Sequence, residues 1–322
     1  MIKFIEKKEY LRKTQDTICP PALGRVVILV PVLMLMLMLL LGGCIEGSLN
    51  NPFSPGVGDA NRLLNGSVSN EQSPLVNEEG GTIADRYRAP EGFVRVDAEK
   101  GSFAHFLRNH ELRPYGAKAL YYDGREKRAD GVYDSVFDVE IGDRDLHQCA
   151  DAIMLLRAEY LYSIGAYDQI SFHFVSGFKA EYKKWMEGYR IKVEGNDVSY
   201  YKTDNVSNTY ETFRKFMDMV FAYSGTLSLE KELQEAGVDE MKIGDVFIVG
   251  GSPGHAVIVV DMAINEDGET LFMLAQSYMP AQQTHLLVNP NQVAISPWYS
   301  LKDQDKLITP EWTFELDALK RF

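Results

Sequence analysis

Two side chains in this sequence have the type and setting that nucleophilic chemistry needs: Cys149, in Gln148-Cys149-Ala150-Asp151, and His255, in Gly254-His255-Ala256-Val257. A cysteine attacks a carbonyl as its thiolate, so it needs a base to take its proton and surroundings that favour negative charge. Asp145 stands where an N-cap would, with Gln148 three residues on, which predicts a helix starting at 145 and puts Cys149 in its first turn. The unpaired amides and partial positive charge of a helix start favour thiolate over thiol. The same residue also reads as a small buried side chain packing beside Ile153, because free cysteine is among the most buried residue types.

His255 weighs toward chemistry. A strand pattern at 245–249 runs into the turn Gly250-Gly251-Ser252-Pro253-Gly254, and the histidine opens the next strand pattern, 256–264. An imidazole there has no bulky neighbour before it and can face a helix end. A third group should hold the ring's other nitrogen. Asp261 is too remote, because six residues of strand cover about 20 Å at ~3.3 Å per residue. A hairpin closing near Asp267-Gly268 sets residues 278–280 opposite His255 and Gln276 on the same face at the diagonal, so Gln276 is the expected partner, with Tyr278 and His285 next in line. The chemistry is acyl transfer. His255 takes the proton, Cys149 attacks, and the oxyanion is met by the Cys149 amide and by Gln148. His105, His110, His147 and His173 lack partners at metal-ligand spacing, so neither metal nor cofactor is expected.

These side chains need a scaffold, and the composition allows one. Of 322 residues 45% are hydrophobic and 25% charged, as in ordinary globular proteins, and a net charge of −13 repels phosphate backbones and excludes nucleic acid as a partner. Periodicity predicts helices at 103–107, 145–163, 181–186, 209–223 and 228–236. It predicts strands at 118–122, 136–141, 170–175, 190–193, 245–249, 256–264 and 270–278, with 280–301 left as loop. The fold class is α+β with a C-terminal antiparallel meander. Residues 165–240 form a helical insertion between nucleophile and base, placed to build a cover or a specificity wall.

The N-terminus carries an address. A basic segment ends at Arg25, residues 26–41 are uninterrupted by any charged or polar side chain, and the run closes on Leu41-Gly42-Gly43-Cys44. It is shorter than the ~20 residues that span a bilayer comfortably. The small residues before Cys44 resemble the lipobox of bacterial lipoproteins, which implies that residues 1–43 are a signal peptide and that Cys44 carries lipid. The protein would then be held to a bacterial membrane in the cell envelope; the alternative is an uncleaved transmembrane anchor. Residues 44–84, rich in Asn, Ser, Gly, Pro and Glu, read as a flexible tether reaching about 35 Å, and 85–322 as a single domain. With Cys19 removed and Cys44 acylated, Cys149 is the one free thiol and no intramolecular disulfide can form.

Gln-Cys-Ala-Asp-Ala (148–152), Leu-Arg-Ala-Glu-Tyr-Leu (156–161), Gly-Gly-Ser-Pro-Gly-His-Ala-Val-Ile-Val-Val-Asp (250–261), Leu-Ala-Gln-Ser-Tyr-Met-Pro-Ala-Gln (274–282) and Ser-Pro-Trp-Tyr (296–299), together with the lipobox, resemble an uncharacterised bacterial lipoprotein family. That family is a domain of unknown function frequent in the Bacteroidetes. The resemblance covers nearly all of residues 90–315 and implies no activity. The neighbourhoods of Cys149 and His255 resemble NlpC-type papain-like cysteine peptidases, with Cys at a helix start first and His on a central strand after it. This second resemblance implies a helix packed on an antiparallel sheet, Gln276 in the place of the papain-like Asn or Gln, and cleavage of amide bonds; the envelope location suggests peptidoglycan stem peptides as substrate. The chain departs from the usual Asp-Cys-Ser-Gly and has a longer Cys-to-His interval, which leaves the substrate open. Two rivals stand beside the hydrolase: a non-catalytic envelope binding or scaffold lipoprotein with the same fold, and a cysteine acyltransferase or transamidase.

Overall fold

A computed structural model describes residues 75–128 and 131–322. Its helices are α1 (Ile83–Arg86), α2 (Phe103–Arg108), α3 (Cys149–Ser163), α4 (Tyr182–Met186), α5 (Tyr210–Tyr223) and α6 (Thr226–Glu232). The strands run β1 (Val94–Arg95), β2 (Tyr133–Val136), β3 (Ser171–His173), β4 (Lys179–Glu181), β5 (Tyr189–Glu194), β6 (Asp197–Lys202) and β7 (Gln234–Glu235). They continue with β8 (Val246–Val249), β9 (His255–Ile264), β10 (Thr270–Gln276), β11 (His285–Leu287), β12 (Lys306–Ile308), β13 (Thr313–Glu315) and β14 (Leu319–Arg321). The class is α+β, as the alternation of patterns implies.

The run Ala256-Val257-Ile258-Val259-Val260 is apolar on both faces, which suits a strand covered on both sides. It lies inside an antiparallel sheet ordered β2-β11-β10-β9-β8-β14-β7, with β1 paired to the far end of β9. Ala256, Ile258 and Val260 pack into one apolar layer with Ala150, Ile153 and Met154 of α3. Val257 and Val259 pack into a second with Phe247, Phe272, Leu274 and Phe314. The spacing of α3 predicts a one-sided stripe, yet Ala150, Ala152, Ile153, Met154, Leu155, Leu156, Ala158 and Leu161 are all buried. A helix apolar all round belongs inside a protein. α5 packs across its other side with Phe213, Phe216, Met217 and Val220, themselves at helical spacing.

Several expected boundaries move. The helix expected from 145 begins at Cys149. The strand expected at 136–141 ends at Val136, because Phe137 and Asp138 turn their amides to the carbonyls of Thr284 and Glu111. Residues 118–122 form only isolated bridges, Leu120 to Glu126 and Tyr121 to Gln282. The insertion is mixed rather than helical, carrying the hairpins β3–β4 and β5–β6. Within 280–301, residues His285–Leu287 form β11, and β12 to β14 follow where no elements are expected. The tether was expected to reach residue 84, yet Val76 bridges Tyr87 and Ile83 is fully buried. The buried Arg86 guanidinium holds this segment by donating to the carbonyls of Gly80 and Arg113 and to the Ser135 hydroxyl, at 2.8–2.9 Å. Such a tie between distant segments leaves no local pattern. The signal segment, Cys44 and the tether up to residue 74 lie outside the described residues.

Asp261, set aside above as a partner for His255, is fully buried and paired to Arg95 at 2.6 Å and Arg108 at 2.7 Å, which joins β1 and α2 to the central strand. Replacing it by Asn leaves two guanidinium groups without their counter-charge. Asp261→Asn should lower unfolding free energy by about 3–5 kcal/mol in urea titrations; a loss under 1 kcal/mol would show that the pair organises nothing.

Candidate active site

The start of α3 is bolted to the connection between β10 and β11. Asp145 accepts the Ala281 amide at 2.6 Å and the Gln148 side-chain amide at 3.2 Å. The His147 carbonyl accepts the Ser277 hydroxyl at 2.9 Å and the Gln282 amide at 3.3 Å. The N-cap is therefore Gln148, not Asp145: the Asp151 carboxylate reaches back to the Gln148 amide at 3.0 Å, while Asp145 is committed to the neighbouring loop. Cys149 becomes the first helical residue, a position whose amide has no partner within the helix.

His255 owes its place to the turn before it. Gly251 has φ +130°, and a Cβ on Gly254 would lie 2.6 Å from both the Gly251 carbonyl oxygen and the Thr226 hydroxyl. α6 grips this turn, with Glu230 accepting the Gly250 amide at 2.8 Å. The imidazole then stacks among Tyr278, Trp312 and Phe314, with ring centroids 4.7, 5.4 and 5.9 Å away.

His255 Nε2 lies 2.8 Å from Gln276 Oε1, so the expected partner is in place. A β-bulge brings it there. From the hairpin end Thr270 pairs with Ile264 and Met273 with Asp261, but Leu274 then pairs with Val259 and Ala275 with Ile258, leaving Val260 as the extra residue. Gln276 shares a face of β10 with Phe272 and Leu274, and a regular ladder would set it opposite Ile258 and leave His255 on the other face. The extra residue in β9 turns His255 to the face that carries Gln276.

Behind Gln276 lies a polar layer that local patterns did not disclose. Gln276 Nε2 is 2.6 Å from Glu311 and 3.4 Å from His285 Nε2, and Glu311 pairs with the buried Lys127 at 2.8 Å. His285 thus touches Gln276 and not His255, while Tyr278 packs on the imidazole ring. Lys127, Glu311 and Trp312 lie outside regular elements, and only Pro310 marks a turn there.

Cys149 and His255 line one cleft of about 450 Å³. The backbone amide of Ala256, the residue next to His255, lies near enough to the Cys149 sulfur to favour its thiolate. The insertion supplies Val175, Phe221, Thr226 and Leu227 as one wall, and Val175 and Leu227 also line an adjoining cavity of about 410 Å³. The expectation of a resting thiolate is not met. Burial, with the Asp151 carboxyl adding, pushes the Cys149 thiol up to about 11 and outweighs the backbone amides of Ala150 and Ala256. Burial pushes His255 down to about 4, although the Gln276 hydrogen bond works against it. The resting pair at neutral pH is thiol and neutral imidazole. Gln148 has one side-chain N–H engaged with Asp145, leaving the other for an oxyanion beside the Cys149 amide. Among the described residues no three of His, Cys, Asp and Glu gather as a metal site, and no helix is long and apolar enough to cross a membrane.

Burial also holds His147 and His285 down to about 3. With an ordinary histidine value of 6.5, the unfolded chain binds more protons than the native one at these three sites below pH about 6.5. Stability should therefore fall as pH drops from about 6.5 toward 4, read as a falling urea midpoint. A midpoint unchanged over that window would contradict the buried neutral histidines.

No curated protein and no solved structure matches the chain. A family profile does, over residues 83–321, which span the central sheet, α3 and the whole cleft. By that match the chain belongs to the family described as domain of unknown function 4846.

Proposed function

We propose that the protein is a membrane-tethered cysteine hydrolase of amide bonds in the cell envelope, with a papain-like, NlpC-like arrangement and peptidoglycan stem peptides as substrate. The observation that carries the reading is the sharing of one cleft by a helix-start thiol and a histidine hydrogen-bonded to a side-chain amide. In the reaction the neutral His255 takes the Cys149 proton as sulfur adds to the carbonyl carbon, because a preformed ion pair is disfavoured by burial of both groups. The oxyanion faces the Cys149 amide and the free Gln148 N–H. Imidazolium returns the proton to the leaving amine, and water then releases the acyl group. With an amine in place of water the same steps give a transamidase, which product analysis with added amines separates.

A base working as neutral imidazole predicts a broad pH profile. Hydrolysis of purified stem peptides should be level from about pH 6 to 9 and fall on acidification as His255 protonates near 4. Cys149→Ala and His255→Ala should each lower kcat/KM by about 10³-fold or more. Native alkylation of Cys149 by iodoacetamide should rise about tenfold per pH unit between 7 and 10, since the thiolate fraction grows toward about 11. An alkylation rate already at plateau at pH 6 would refute the neutral pair.

The neutral resting pair also suits a second reading, an envelope binding or scaffold lipoprotein that keeps this cleft without turnover. Stem-peptide binding by wild type and Cys149→Ala alike, with no product from wild type, would establish it.

The anchoring has its own test. Cys44→Ala should abolish incorporation of labelled fatty acid and release the protein from membranes. Retention in the membrane fraction without label would identify residues 26–41 as an uncleaved span.

A further inference from the structure

Gln276 could present either end of its amide to His255, and the choice decides which imidazole nitrogen carries the proton. Its surroundings leave one solution. The Glu311 carboxylate, which holds Lys127 at 2.8 and 2.9 Å, can only accept, so the Gln276 atom 2.6 Å from it is the nitrogen. His285 Nδ1 lies 2.8 Å from the Gln283 carbonyl, which also can only accept, so the His285 proton is on Nδ1 and its Nε2 is an acceptor. Burial keeps that ring neutral, with its value pushed down to about 3. His285 Nε2 lies 3.4 Å from the same Gln276 nitrogen and takes its second N–H. With both N–H groups engaged, Gln276 Oε1 must face His255 at 2.8 Å, and an oxygen there requires a donor.

We infer that Glu311, neutralised by Lys127 and seconded by His285, is a positioning residue that locks the Gln276 amide and so holds His255 as its Nε2–H tautomer, leaving Nδ1 bare to take the thiol proton. The inference rests on the hydrolase reading only for its catalytic consequence; the tautomer itself follows from the hydrogen bonds. Glu311 touches neither the reacting atoms nor His255. It acts through Gln276, from a turn that follows β12 and some 35 residues after β10.

The test uses full-length protein in detergent, labelled with 15N at histidine, with the His255 signals assigned against His255→Asn. Wild type should show the proton on Nε2. The double variant Lys127→Met/Glu311→Met removes the acceptor and its counter-ion together, an exchange that buried ion pairs commonly tolerate. It should populate the Nδ1–H tautomer and lower stem-peptide kcat/KM by roughly 10–100-fold, the scale of losing an outer orienting partner. Lys127→Met alone keeps the obligate acceptor and should keep the wild-type tautomer, an outcome that general destabilisation would not separate from the double variant. Should the double variant not fold, Glu311→Met alone is read in its place against Lys127→Met. His255 protonated at Nδ1 in wild type, or at Nε2 in the variant lacking Glu311, overturns the inference. Loss of the tautomer in a protein that hydrolyses nothing leaves the lock standing and removes the hydrolase.

Discussion

Everything about the site depends on the register between β9 and β10. Side chains alternate across a strand, so a shift of one residue exchanges the faces of every side chain beyond it. The bulge at Val260 makes that shift between Asp261 and Val259. On the hairpin side, Asp261 turns to Arg95 and Arg108; on the cleft side, Gln276 joins His255, His285 and Glu311 on the second face. A regular ladder would have turned His255 to the helix side, away from the Gln276 amide.

The placement of Cys149 follows a different logic. Nothing in α3 itself aims the thiol; the aim comes from the residues before it, where Asp145 and His147 are tied by side chain and carbonyl to the 277–284 connection. That connection leaves the end of the same strand that carries Gln276. The helix start and His255 therefore refer to one piece of backbone, and a displacement of β10 would carry both sides of the cleft with it. Burial accompanies this rigidity: it opposes charge on either group, and at Cys149 it outweighs the backbone amides that favour a thiolate.

The insertion completes the cleft from outside. Through Thr226 and Glu230 it holds the glycine turn before His255, and through Val175, Phe221 and Leu227 it forms a wall. A segment that separates Cys149 from His255 in sequence thus lies beside both in space, and the Thr226 hydroxyl crowding Gly254 shows how closely it is fitted.

What local sequence determined is what short-range physics controls. Apolar periodicity marks α5 and the cores of β8, β9 and β10; the glycine turn marks where His255 emerges; a Cys near a helix start and a histidine at a strand start carry their chemistry in their types. Gln276 was legible as well, but by a count from the hairpin that came right through a bulge no local pattern announced. Tertiary structure alone decided that Asp145 serves Ala281 and not the helix start, and the ordering of residues 75–84, held by Arg86 to Ser135 and Arg113. It also decided the protonation states and the polar layer of Lys127, Glu311 and His285. The reason is common to all of these: a buried polar group must find a partner wherever the fold brings one, and partners 35 or 184 residues away leave no trace in the spacing of neighbours.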